Sequence, residues 1–202
     1  MNAPARTRTV APAWPLYLAA FAIAAVVAGA VGEAFSGGSL AELGIPDPGA
    51  ATTVGLPALR GVAWLLMALA TGSFLLTAFL IPPKQSQQDL NGARLTVDGH
   101  IAARTGAHAS AGIALIGLFM IPLVLSDVSG QPLKTVLFEA AAWSQALDQV
   151  ADARVWLIVA AFAAVVAAFG YAATSWWSQV WLFLGAIVVV MPIALTGHSA
   201  TG

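Results

Sequence analysis

Val155-Trp-Leu-Ile-Val-Ala-Ala-Phe-Ala-Ala-Val-Val-Ala-Ala-Phe-Gly-Tyr-Ala-Ala173 contains no charged residue. A helix needs about 20 apolar residues to cross the hydrocarbon core of a bilayer. The run therefore reads as a membrane-spanning helix. Four further runs of the same kind lie at about residues 14–35, 56–81, 105–125 and 177–196. The expected fold is all-α: a polytopic transmembrane bundle of about five spans in one domain.

Composition agrees. The chain is 59% hydrophobic and only 8% charged, with a mean hydropathy of +0.86. Soluble domains carry roughly 25% charged residues, so most of this surface must face lipid. A formal net charge of −1 gives no reason to expect nucleic acid as a partner. Cysteine is absent, which excludes a disulfide framework, a thiolate metal site and a Cys nucleophile. Arg6 and Arg8 precede the first span, as in a secretory signal. That apolar stretch is longer than a signal core, and no clean cleavage site leads into a mature domain, so the span is expected to be retained.

Lys and Arg in short loops set orientation. Arg6 and Arg8 precede the first span, and Lys84, Arg94 and Arg104 lie between the second and third. These are five of the eight basic residues, and their side should be cytoplasmic. Glu42, Asp47, Asp127, Glu139, Asp148 and Asp152 fall on the other side, with Lys134 there and Arg60 and Arg154 near helix ends. The expected location is the cytoplasmic (inner) membrane. The N-terminus lies inside and the C-terminal end outside. Trp14 and Tyr17, Trp156, and Tyr171, Trp176 and Trp177 are read as headgroup-level aromatics.

The outer loop at residues 36–57 contains a turn at Pro46-Asp47-Pro48-Gly49. Pro82-Pro83 stops the second span, and a polar stretch from Lys84 to Asp89 follows. Between the third and fourth spans, Val136, Ala140, Trp143, Leu147 and Val150 recur at helical spacing. Lys134, Glu139, Gln145, Asp148 and Asp152 lie largely off that stripe. This predicts an amphipathic helix on the outer surface or over the bundle mouth. The third and fifth spans share a weak repeat, Met120 to Asp127 against Met191 to His198, each with a proline that can kink its helix.

Few residues suit chemistry. No nucleophile, base and orienting acid coincide, and no phosphate loop is present, so enzymatic turnover is not expected. His100 and His108 lie near the inner start of the third span and His198 past the outer end of the fifth. His108 and His198 are not expected to clamp one haem, because their depths differ by most of the ~30 Å core. His100 and His108 are eight apart on one helix or its approach and cannot sandwich one either. Imidazole and thioether remain as soft or borderline metal ligands, and these suit copper better than magnesium or calcium. The inventory is Met67, Met120, Met191 and His198, although for each Met alone an ordinary lipid or packing role is the better reading.

The ending Pro192-Ile-Ala-Leu-Thr-Gly-His198-Ser-Ala resembles a motif of the copper-resistance protein D (CopD) family. Gly55-Leu-Pro-Ala-Leu-Arg60, Gly72-Ser-Phe-Leu-Leu and Ser126-Asp127-Val-Ser-Gly-Gln-Pro-Leu133 strengthen the resemblance, which covers the chain from about Pro46 onward. These segments look most like long bacterial proteins in which a CopD-like domain precedes a cytochrome c oxidase assembly domain of the CtaG type. In that family, further spans follow the Gly-His-Ser/Ala motif, including a second His-bearing helix. The resemblance therefore implies that these 202 residues are the N-terminal part of a longer chain. It also implies copper uptake or transfer across the cytoplasmic membrane, toward oxidase assembly, with copper as the ligand. The site residues expected on that basis are His198, with Met191, Asp127 and Met120.

Two other functions fit the sequence. One is a noncatalytic accessory subunit packed against cytochrome c oxidase or another respiratory complex. The other is a haem or quinone redox protein, which the histidine depths disfavour. Copper handling requires His198 to face another ligand. An accessory subunit leaves it in water and presents Gly and Ala faces to a neighbour.

Overall fold

A computed structural model describes residues 14–36, 47–83 and 93–199. Its helices are α1 (Trp14–Ser36), the single turn α2 (Ala50–Thr53), α3 (Gly55–Leu75), α4 (Val97–Ser129), α5 (Leu133–Phe138), α6 (Ala140–Gln149), α7 (Ala151–Ala172) and α8 (Trp176–Ser199). A π-helical segment, Leu76–Leu80, continues α3. Five helical stretches are long and apolar enough to cross a membrane. They are α1, α2–α3 with the π segment, α4, α7 and α8. The fold class read from the sequence stands. Arg6, Arg8, Lys84 and Pro46 lie outside the described residues.

The third span is longer than hydropathy alone indicated. Its helix covers 33 residues, about 50 Å at 1.5 Å per residue. A hydropathy window stops at Thr105 because Asp98, His100 and Arg104 are polar. The helix begins earlier because Thr96 caps it: its Oγ1 accepts from the Gly99 N–H at 3.3 Å. Asp98 in the first turn suits the positive end of the helix dipole. Gly130 ends α4 in the left-handed conformation, at φ 65°, which glycine adopts without a Cβ penalty.

α4 is the hub of the bundle. It packs along α3 on one side and α7 on the other, and α8 closes the far side between α3 and α7. α1 lies against α3 outside this group. Only 6% of its most apolar window is buried, against 61% for α4. Neighbouring long helices run antiparallel. Gly112 and Gly106 of α4 meet Leu66 and Phe74 of α3, while Gly117 and Ala107 meet Ala160 and Gly170 of α7. Small residues at these crossings let backbones approach closely, the usual source of helix association in lipid.

Trp156 corrects the sequence reading. It was expected in the headgroup layer, but it is only 4% exposed and belongs to the core. Trp176 also does more than mark an interface. Its Nε1–H donates to the Ala78 carbonyl in the π segment at 2.9 Å, and its backbone N–H donates to the Ala93 carbonyl at 2.8 Å. Trp177 and Trp181 remain exposed at this end.

The amphipathic segment forms two helices rather than one. Glu139 adopts an extended conformation, φ −102° and ψ 98°, between α5 and α6. Val136 is buried, and Trp143 and Val150 pack against the core. Lys134, Glu139 and Asp148 are exposed. The predicted apolar stripe thus caps the ends of α4 and α7.

Candidate functional site

The α5–α6 end holds most of the acidic residues: Glu33, Asp47, Asp127, Glu139, Asp148 and Asp152. A hydroxyl relay organises its centre. The Ser126 hydroxyl donates to the Gln131 carbonyl at 2.6 Å, so its single proton is used. The Thr52 hydroxyl, 2.7 Å away, must then donate to Ser126. Both side chains are fully buried. The relay pins α2 against the end of α4 and fixes where α3 enters the bundle.

Arg60 and Asp152 join α3 to α7 through a 3.2 Å ion pair. Their side chains are 42% and 48% exposed, so solvent and salt screen it, and a pair of this kind contributes about 0–1 kcal/mol. The Asp47 carboxylate accepts from the Gly49 N–H at 2.8 Å, a local turn contact that leaves it exposed.

The expected ligands fall in different surroundings. Met120 is fully buried in the core. Asp127 is exposed on the last turns of α4. Met191 is 55% exposed on α8. His198 belongs to the last turn of α8, and its side chain lies outside the described residues. α8 packs on α3, the π segment and α7 rather than along α4, so Met120 and Met191 do not share a cleft. Met67 is buried too. Its neighbour Leu66 meets Gly112, eight residues from Met120, so the two thioethers differ in depth by roughly 12 Å. Among the described residues no group of three or more His, Asp or Glu is placed to hold a metal ion.

Other polar groups inside the bundle escaped the sequence reading. Thr77 and Ser110 are buried and donate one turn back, to the Ser73 and Gly106 carbonyls at 2.8 and 2.9 Å. Gln179, near the start of α8, is fully buried, and neither amide atom has a hydrogen-bond partner among the described residues. A lone Gln in an interfacial Trp- and Ser-rich stretch carries no periodic signal that would mark it as inward-facing. His108 was expected near a helix end. It instead lies three turns inside α4, exposed, with its ring edge-on to Tyr171 at 5.3 Å.

Residues 50–202 match the family model described as copper resistance protein D-like, N-terminal domain. The chain belongs to this family. The match takes in α2 through α8 and leaves out only α1 among the helices. Asp127, Met120, Met191 and His198 all lie within it. This is a membrane protein of a copper-resistance family, and the family resemblance expected from the Gly197-His198-Ser199 ending stands at that level. No curated protein and no solved structure matches the chain.

Proposed function

We propose that this domain handles copper at its α5–α6 end, in uptake or transfer across the cytoplasmic membrane and toward oxidase assembly. The family match over all but the first of the long helices carries the reading. Ligand chemistry supports it: without cysteine, imidazole and thioether are the ligands suited to Cu(I). His198 and Met191 lie seven residues apart in α8, two turns of one helix. The exposed thioether of Met191 makes the surface of α8 the approach to the metal. Met120 is enclosed by packed side chains and becomes accessible only if the core opens. Asp127, at the mouth, suits a role orienting the imidazole or attracting the cation.

Equilibrium Cu(I) titration of the purified protein tests this reading. His198→Ala should weaken copper binding by about tenfold or more, since even outer partners of metal ligands are worth about 10–100-fold. Met191→Leu should weaken it by a smaller factor with the fold unchanged. Unchanged stoichiometry and affinity in both variants would contradict the assignment. A groove of about 640 Å³ between α7 and α8, lined by residues such as Phe162, Phe169, Trp181 and Gly185, favours a second reading as an accessory subunit packed on a respiratory complex. That reading gains if copper binding survives both substitutions.

The proposed orientation puts the α5–α6 end outside. Arg94 and Arg104 lie at the opposite end with one described acidic residue, Asp98, as the preference for basic cytoplasmic loops requires. The chain has no cysteine, so each introduced thiol is unique. In intact cells an impermeant thiol reagent should label Ser144→Cys and spare Gln87→Cys. The reverse pattern would invert the orientation.

A further inference from the structure

The end opposite α5–α6 carries an arrangement that copper handling does not use. Gly170 of α7 packs on Ala107 of α4. That register sets Arg104 level with the end of α7, near Ala173. The Arg104 guanidinium carbon lies 5.6 Å from the centroid of the Tyr171 ring. One turn further along α4, His108 Nδ1 lies 2.6 Å from the Arg104 carbonyl oxygen. A carbonyl only accepts, so Nδ1 carries the proton and donates it. The imidazole is thereby fixed edge-to-face with Tyr171, so that Arg104 and His108 both contact that ring.

Among the described residues Arg104 has no carboxylate partner. Among the described residues the acidic groups lie at the α5–α6 end, apart from Asp98. Asp98 sits six residues before Arg104, about a third of a turn away around the helix. It lines a separate groove with Tyr17 and Ser73, on the α1 side. The one ion pair among the described residues, Arg60 with Asp152, is also at the α5–α6 end. Trp177 and Trp181 lie exposed and edge-to-face near the start of α8, as interfacial tryptophans do at headgroup level.

We propose that Arg104, held on Tyr171 and flanked by His108, seats the phosphate of an anionic phospholipid in the leaflet at this end. The guanidinium is a planar fork that binds phosphate oxygens in pairs. The cation–π contact with Tyr171 holds the guanidinium and reduces the rotamer freedom lost on binding. A cation at headgroup depth, between helices and without an acidic neighbour among the described residues, complements a negative headgroup.

The test is lipid retention by the full chain in detergent, read by native mass spectrometry after exposure to mixed phosphatidylglycerol and phosphatidylcholine. The parent should retain phosphatidylglycerol over phosphatidylcholine by about fivefold or more, and Arg104→Gln should abolish the preference. Tyr171→Phe keeps the ring and should keep the preference, whereas Tyr171→Leu should reduce it. Arg94→Gln, which alters an exposed cation at the same end, should leave it intact. Excess inorganic phosphate should not displace the lipid. Equal retention of both lipids by the parent would overturn the proposal. So would an unaltered preference in Arg104→Gln with helix content preserved, an equal loss in Arg94→Gln, or displacement by phosphate alone.

Discussion

Gly117→Val is expected to destabilise the purified bundle by about 3 kcal/mol, the upper part of the range for overpacked cores. The cause lies at the α4–α7 crossing. A Cβ at residue 117 would sit 2.9 Å from the Ala160 Cβ and 3.1 Å from the Trp156 carbonyl oxygen. The latter is backbone and cannot rotate aside. Even Gly117→Ala should lose stability, although alanine favours a helix by about 1 kcal/mol over glycine. Gly72 supplies the control. It lies inside α3 and is exposed, with nothing within 4 Å of an added Cβ, so Gly72→Ala should be neutral or gain up to about 1 kcal/mol. Thermal unfolding of the three variants in one detergent checks the contrast. Equal tolerance at residues 117 and 72 would mean that the α4–α7 crossing is looser than described.

Gln179→Leu is expected to stabilise the protein, by about 1–3 kcal/mol. The amide is fully buried and unpaired among the described residues, whereas Leu is similar in size and makes no such demand. Trp176 and Phe183 flank it in sequence and hold α8 onto the π segment, through the Ala78 carbonyl and an edge-to-face contact with Phe79 at 5.6 Å. The backbone position is thus fixed independently of the amide. Thermal unfolding of Gln179→Leu and Gln179→Ala separates the two contributions. Leu should raise the midpoint, and Ala should lower it by leaving a void. A lower midpoint for Leu would show that the amide is bonded in the folded protein. A buried polar group in a membrane bundle would then be a functional group rather than a cost.

The spans were legible because hydropathy measures the solvent, and lipid leaves little room for another solution. The residues 155–173 that decide the fold differ from α7 only at its ends, where Asp152 and Arg154 extend the helix past the apolar run. The same logic failed at the start of α4, where capping by Thr96 outweighs the polarity of Asp98, His100 and Arg104. Tryptophan depth was half legible: Trp177 is exposed, as a headgroup-level ring must be, but Trp156 is buried. An aromatic near a span end fits either a headgroup layer or a gap between small residues, and only the neighbouring helix decides which. The segment after α4 was read correctly as amphipathic, but nothing in its stripe announced the break at Glu139.

The site was less legible than the fold. Met120 and Met191 occupy corresponding places in two similar segments, yet one is enclosed and the other exposed. Their spans have different neighbours: α4 is surrounded, while α8 has a free flank. A periodic pattern places residues on a face of their own helix but does not say what that face meets. The Arg104, His108 and Tyr171 contacts were illegible for the same reason, because they join α4 to α7 across more than sixty residues of chain.

The central claim, that this domain handles copper through His198 and Met191, is tested most directly by the copper content of cells expressing it. Parent and His198→Ala/Met191→Leu proteins should be compared at matched membrane levels over a series of external copper concentrations. Expression of the parent is predicted to change cellular copper severalfold, and the double variant to return it to the level of cells without the protein. Identical copper content with the parent, the double variant and no protein would contradict the account.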